Sequence, residues 1–187
     1  PLIFDPPMNK RRGKFVPVDK NPLDYVELNT DEWFCFPAKI NDVLVHTYVH
    51  EKFYELGFNI CNLFELAEKE ELNEQPDAIY LYGCPEGSLD AINKELPTVY
   101  YDDKEKNMLV AAAPRDDQYG YFGYLKKMML TLHNTIKMKQ GVMPFHGSFF
   151  QLGLKGNKKV NIMMMGDSGA GKSETLEALR LLGNEKI

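Results

Sequence analysis

Two periods alternate along the chain. Residues 40–49 are dense in branched and aromatic side chains, with Val43, Val45, Tyr48 and Val49, and this predicts a strand. From residue 51 to about residue 74 the spacing changes: Phe53, Leu56, Ile60, Leu63, Phe64 and Ala67 recur with a helical period. That predicts a helix, kinked or split at Gly57. Residues 78–82, Ala-Ile-Tyr-Leu-Tyr, read as a short buried strand, and residues 83–87 as a turn. Ser88 stands where it would N-cap a short helix ending near Pro97. Residues 98–101 and 108–112 flank the polar run 102–107, a pattern that fits a hairpin.

The second half carries a clearer signal. Between residues 121 and 139, Phe122, Leu125, Met128, Met129, Leu132 and Ile136 form one apolar stripe, and Gly141 sits where a C-terminal glycine ends a helix. At about 100° per residue, Lys127 lies nearly opposite that stripe, so its ammonium points either to water or into a polar cleft. Residues 145–154 and 160–165 read as strands joined by Lys155-Gly156-Asn157-Lys158-Lys159, with Gly and Asn where positive φ is wanted. Met163, Met164 and Met165 read as an adaptable buried strand. A helix follows over 174–182. Strands and helices alternate without a fixed repeat, so the expected class is mixed α/β, with an N-terminal domain over 1–140 and the start of a second over 141–187.

Composition narrows the function classes. The 187 residues are 44% hydrophobic and 26% charged, with a mean hydropathy of -0.37, which is a core-forming balance. No apolar run reaches the roughly 20 residues of a membrane span, and the opening Pro1-Leu2-Ile3-Phe4-Asp5 does not resemble a secretory leader. The net charge of -5 offers no general basic field, which disfavours a nucleic-acid partner. Cys35, Cys61 and Cys84 are an odd, widely spaced set, expected to be reduced core thiols in a cytoplasmic protein. The proline-bearing first 35 residues suggest an irregular arm, and its Lys10-Arg11-Arg12 cluster is either solvated surface or an anion contact. The chain starts without Met and stops soon after its most informative motif, so a piece of a longer protein is expected. Oligomeric state is not legible.

That motif is Gly166-Asp167-Ser168-Gly169-Ala170-Gly171-Lys172-Ser173, which fits GxxxxGK[ST] between an apolar strand and a helix. The glycines let successive backbone N–H groups turn inward onto phosphate oxygens, and the following helix adds its N-terminal partial charge. Lys172 would bridge the β- and γ-phosphates of ATP, and the Ser173 hydroxyl would ligate Mg²⁺. The alternative is a glycine-rich turn that binds nothing. His46, His50 and His133 have no ligand spacing and read as structural or surface residues.

Residues 121–173 resemble ATP-dependent phosphoenolpyruvate carboxykinase. Tyr121-Phe122-Gly123-Tyr124-Leu125-Lys126-Lys127 is similar to that family's Y-x-G-x-x-K-K segment, Phe145-His146-Gly147-Ser148 to its M-H-C-S, and the phosphate loop follows in order. The resemblance implies Mn²⁺ held by Lys127 and His146, Tyr121 beside a small carboxylate substrate, and catalysis by Lys172, Lys127 and His146. The reaction implied is ATP plus oxaloacetate giving phosphoenolpyruvate, CO₂ and ADP. A lysine ligates metal only as the neutral amine, so its pKa must fall well below the roughly 10.4 of a free side chain. Four of these positions depart from the family: Ser173 and Glu174 replace the two threonines of its K-T-T, and Gly147 and Phe150 replace a cysteine and an asparagine. The Lys-Ser-Glu ending and the His146-Gly147 pair are more similar to HPr kinase/phosphorylase. A kinase with another acceptor, and a binding module that has lost its chemistry, are therefore the alternatives. Both families complete their metal sites with acidic residues beyond the loop, so the 187 residues alone are expected to be inactive.

Overall fold

The computed structural model describes residues 15–94, 98–166 and 169–186. The basic cluster at Lys10, the end of the helix expected near Pro97, and Asp167 and Ser168 lie outside those residues. The chain divides into two compact units, Pro1–Gly141 and Val142–Ile187.

The first unit is mixed α/β, the class expected from the sequence. Seven strands form its sheet: β1 (Val16–Val18), β2 (Trp33–Ile40), β3 (Val43–His50), β4 (Glu65–Leu66), β5 (Ala78–Cys84), β6 (Val99–Asp103) and β7 (Met108–Pro114). Their order is β1-β6-β7-β5-β3-β2-β4. The three central strands β7, β5 and β3 run parallel, while β2 and β6 pair antiparallel to their neighbours β3 and β7. The predicted β6–β7 hairpin is present, its turn carrying Asn107 at φ 48°. Asn41, at φ 58°, begins the two-residue connection from β2 to β3, where asparagine tolerates a left-handed backbone.

The two α-helices among the described residues of this unit, α1 (Tyr54–Leu63) and α2 (Phe122–Lys139), share one face of the sheet. There Ile60, Leu125, Met128, Met129 and Leu132 pack on Val45, Tyr80, Tyr82 and Ala111, all fully or almost fully buried. The opposite face is covered by irregular chain carrying Val26 and Leu89, which cluster with Trp33 of β2 and with Leu81, Val99 and Ala112. Strand β5 is therefore covered on both faces, which explains its unbroken apolar run.

Several expectations are corrected. The strand Trp33–Ile40 had no sequence signal, because Pro37 and Lys39 interrupt its pattern. The helix expected to reach residue 74 ends at Leu63, since Glu65–Leu66 instead add an edge strand to β2. Gly57 does not break α1; it is buried, and a Cβ there would fall on the Phe36 ring. Ser88 caps no helix: residues 86–92 form successive turns, and its hydroxyl donates to the Pro85 carbonyl at 2.7 Å. Cys35 and Cys61 are exposed and only Cys84 is a core thiol.

The second unit contains β8 (Gly147–Leu154), β9 (Lys158–Met165) and α3 (Lys172–Lys186). The hairpin turn has Gly156 at φ 80° and Asn157 at φ 59°, the two residue types that tolerate that backbone. Phe145 and His146 precede β8 rather than belonging to it. The hairpin's helix-facing side holds Phe150, Leu152 and Ile162, all half-buried. Its other side carries Phe149, Met163 and Met165, which are exposed, so the methionine run is not a buried strand.

Candidate functional site

In the second unit, β9 delivers the chain to Gly166 and α3 begins at Lys172. The intervening loop is tight: a Cβ on Gly166 would stand 2.9 Å from the Ala170 Cβ. Gly169 at φ 85° and Gly171 at φ 77° hold backbone that side-chain-bearing residues adopt only with strain. Glycines in left-handed backbone let successive N–H groups turn to one side, which is how an anion-binding concavity is built.

Lys172 closes the loop. Its Nζ donates to the Gly166 carbonyl oxygen at 2.6 Å, reaching back to a residue six positions earlier. The ammonium thus stands at the mouth of the loop while its Cα begins the helix. The Thr175 N–H and hydroxyl both donate to the Gly171 carbonyl, at 2.9 and 2.8 Å, and lock the first turn of α3. Thr175 escaped the sequence reading because it falls outside the eight-residue motif. Ser173, the second residue of α3, is exposed. A hydroxyl there, one residue from an ammonium and at the positive end of a 15-residue helix, suits a hydrated divalent cation carried on a phosphate chain.

The remaining candidates divide between the units. His146 is exposed and directly precedes Gly147, which pairs with Met165, the residue before the loop. The hairpin register therefore puts His146 beside the loop's first residue at the level of the backbone. Ser148, from the same segment, faces the helix side, and its Oγ is buried without a hydrogen-bond partner. In the first unit, Tyr121 is the N-cap of α2, in extended backbone at φ −146°, with its ring 6.1 Å from that of Tyr124. Lys127 lies on α2 opposite the buried stripe and is exposed, and its carbonyl accepts from the Thr131 hydroxyl at 2.7 Å.

Neither unit alone gathers both donors assigned to Mn²⁺, since Lys127 stands in the first and His146 in the second. Among the described residues no group of three or more His, Cys, Asp or Glu side chains is placed to hold a metal ion. No helix among them is long and apolar enough to cross a membrane. No protein-family model matches the sequence, and no curated protein matches it.

Proposed function

We propose that this chain is the nucleotide-gripping part of an ATP-dependent phosphoryl-transfer enzyme of the carboxykinase-like kind, working in the cytoplasm. One observation carries the reading: a strand leads into a glycine loop with two left-handed backbones, and Lys172 bonds back to Gly166 at its mouth. Loop N–H groups and the start of α3 would hold the phosphate chain. The Lys172 ammonium would exchange the Gly166 carbonyl for the β- and γ-oxygens, and Ser173 would hold Mg²⁺. Bound Mg²⁺ would neutralise the charge that develops in transfer. Tyr121, Lys127 and His146 come into the reading through the family resemblance, as the substrate contact and the Mn²⁺ ligands. Oxaloacetate is the first acceptor on that ground; Lys172-Ser173-Glu174 keeps a different hydroxyl acceptor as the second.

Calorimetric titration with ATP and Mg²⁺ tests the nucleotide reading. Lys172→Ala should weaken binding by at least tenfold while circular dichroism is unchanged; equal affinity in the two proteins overturns it. The acceptor is tested in the full-length parent with ATP, oxaloacetate, Mg²⁺ and Mn²⁺. Phosphoenolpyruvate formation that collapses in Lys127→Ala supports the carboxykinase reading. ATP binding without that product transfers the proposal to another acceptor, or to a module that binds without turnover.

A further inference from the structure

The first unit has a crevice that the phosphate-loop reading does not use. Strands β3 and β5 are adjacent and parallel, yet their connections leave on opposite faces of the sheet. The chain after β3 enters α1 on the helical face, with Ile60 in its core, whereas the chain after β5 crosses to the other face, where Leu89 is buried. Parallel neighbours that part in this way leave a gap at their carboxyl ends, the usual place for a ligand in an open α/β sheet. A cavity of about 430 Å³ opens there, between Lys52 after β3, Pro85 to Asp90 after β5, and Pro114 to Tyr119 after β7. That volume lies within the range of small-molecule sites.

Its charges are sorted by depth. Arg115 is half-buried, and its Nε donates to the Gly83 carbonyl at 3.1 Å, just below the bulge in β5. Its own N–H bonds the Cys84 carbonyl at 2.7 Å, so backbone and guanidinium are both fixed. The two terminal nitrogens have no acceptor among the described residues, although a planar guanidinium carries five donors in a fixed fork. The guanidinium is close enough to the sheet that, after burial itself, its charge is what holds the His50 imidazole below its ordinary value. The carboxylates Glu86, Asp90, Asp116 and Asp117 line the same cavity, and all four residues are exposed. Asp117 is occupied by Lys52, at 2.6 Å.

We propose that this crevice binds a small zwitterion, with its carboxylate on the free fork of Arg115 and its ammonium at the rim formed by Glu86, Asp90 and Asp116. A singly charged carboxylate suits a bidentate guanidinium. The acidic rim disfavours ligands that are anionic at both ends, a dicarboxylate or a phosphate ester among them, because their outer charge would meet like charge. Arg115 selects the ligand class and the rim selects within it. The site depends on no part of the nucleotide reading, and Lys172→Ala should leave it intact.

The test is an amide chemical-shift titration of the whole 187-residue protein with three matched probes: 4-aminobutanoate, butanoate and butylamine. 4-Aminobutanoate should saturate the amides of residues 85–90 and 114–119, and bind at least tenfold tighter than either single-charge probe. Arg115→Lys keeps the positive charge but removes the fork, and should weaken 4-aminobutanoate at least tenfold. The exposed double variant Glu86→Gln/Asp90→Asn should leave butanoate unchanged and abolish the preference for 4-aminobutanoate. The proposal is overturned if no probe shifts those amides, if butanoate binds as tightly as 4-aminobutanoate, or if both variants bind like the wild type.

Discussion

At the scale of single residues, the most informative polar contact joins positions 95 residues apart. Lys137, nearly buried near the end of α2, donates to Asp42 in the β2–β3 turn at 2.5 and 2.7 Å, and to the Gln140 side chain at 3.1 Å. The hydrogen bond from Lys137, more than any other cause, holds the Asp42 carboxyl below its usual value of 3.8. A carboxyl whose pKa is lower in the folded state binds its proton more tightly when unfolded. Its contribution is therefore complete above the unfolded value and is lost as pH falls through the folded one. Urea unfolding of wild type and Asp42→Asn should show a stability difference that is constant above about pH 5 and shrinks below about pH 4. A difference that persists unchanged to lower pH rules out the ion pair as its source. No sequence pattern announces this pair, because in sequence order Lys137 is only a basic residue at a helix end, where cations are favourable anyway.

At the scale of elements, legibility follows the strength of one-dimensional order. Helix α2 is written in its spacing: Leu125, Met128, Met129 and Leu132 are at most 1% exposed, and Gly141, at φ 80°, follows its end. Neighbouring positions on it should consequently behave very differently. Met128→Ala removes a fully buried side chain and should cost about 2–5 kcal/mol, whereas exposed Lys127→Ala should change stability by no more than about 0.5 kcal/mol. Denaturant midpoints check both, and equal costs would mean that the helix is not seated on this face. Helix α1 was only half legible. Its apolar period continues past Leu63, but the chain stops being helical where β2 offers Ala38 and Lys39 as pairing partners. The end of α1 is thus decided by a partner strand nearly thirty residues upstream, which no local window contains.

Across the whole molecule, the two units differ in how their backbones are protected. Strands β5 and β7 sit in the middle of the seven-stranded sheet, and every residue of both except Ile79 and Pro114 is buried. No described residue of the β8–β9 hairpin is buried, and three large apolar side chains on one of its sides are exposed. Local opening is easiest where few apolar groups are covered. Hydrogen exchange should therefore find the amides of residues 79–83 and 109–113 the slowest in the chain, and those of residues 148–153 faster by at least two orders of magnitude. Equal protection in the two sheets would contradict this. The sequence by itself determined the mixed α/β class, the amphipathic α2, the β6–β7 and β8–β9 hairpins and the glycine-rich connection from β9 to α3. Each depends on residues close together in the chain: a helical stripe, a turn with Asn or Gly, a glycine run between strand and helix. Tertiary structure alone decided the strand at Trp33–Ile40, the short α1, the two exposed cysteines and the Lys137–Asp42 pair. It also decided the fork of Arg115 at the crevice floor, because Arg115, Gly83 and Lys52 follow or end three strands that only the sheet brings side by side. Local spacing fixes which face of an element is apolar; which partner covers that face, and which polar groups are then held at its edge, is a property of the assembled sheet.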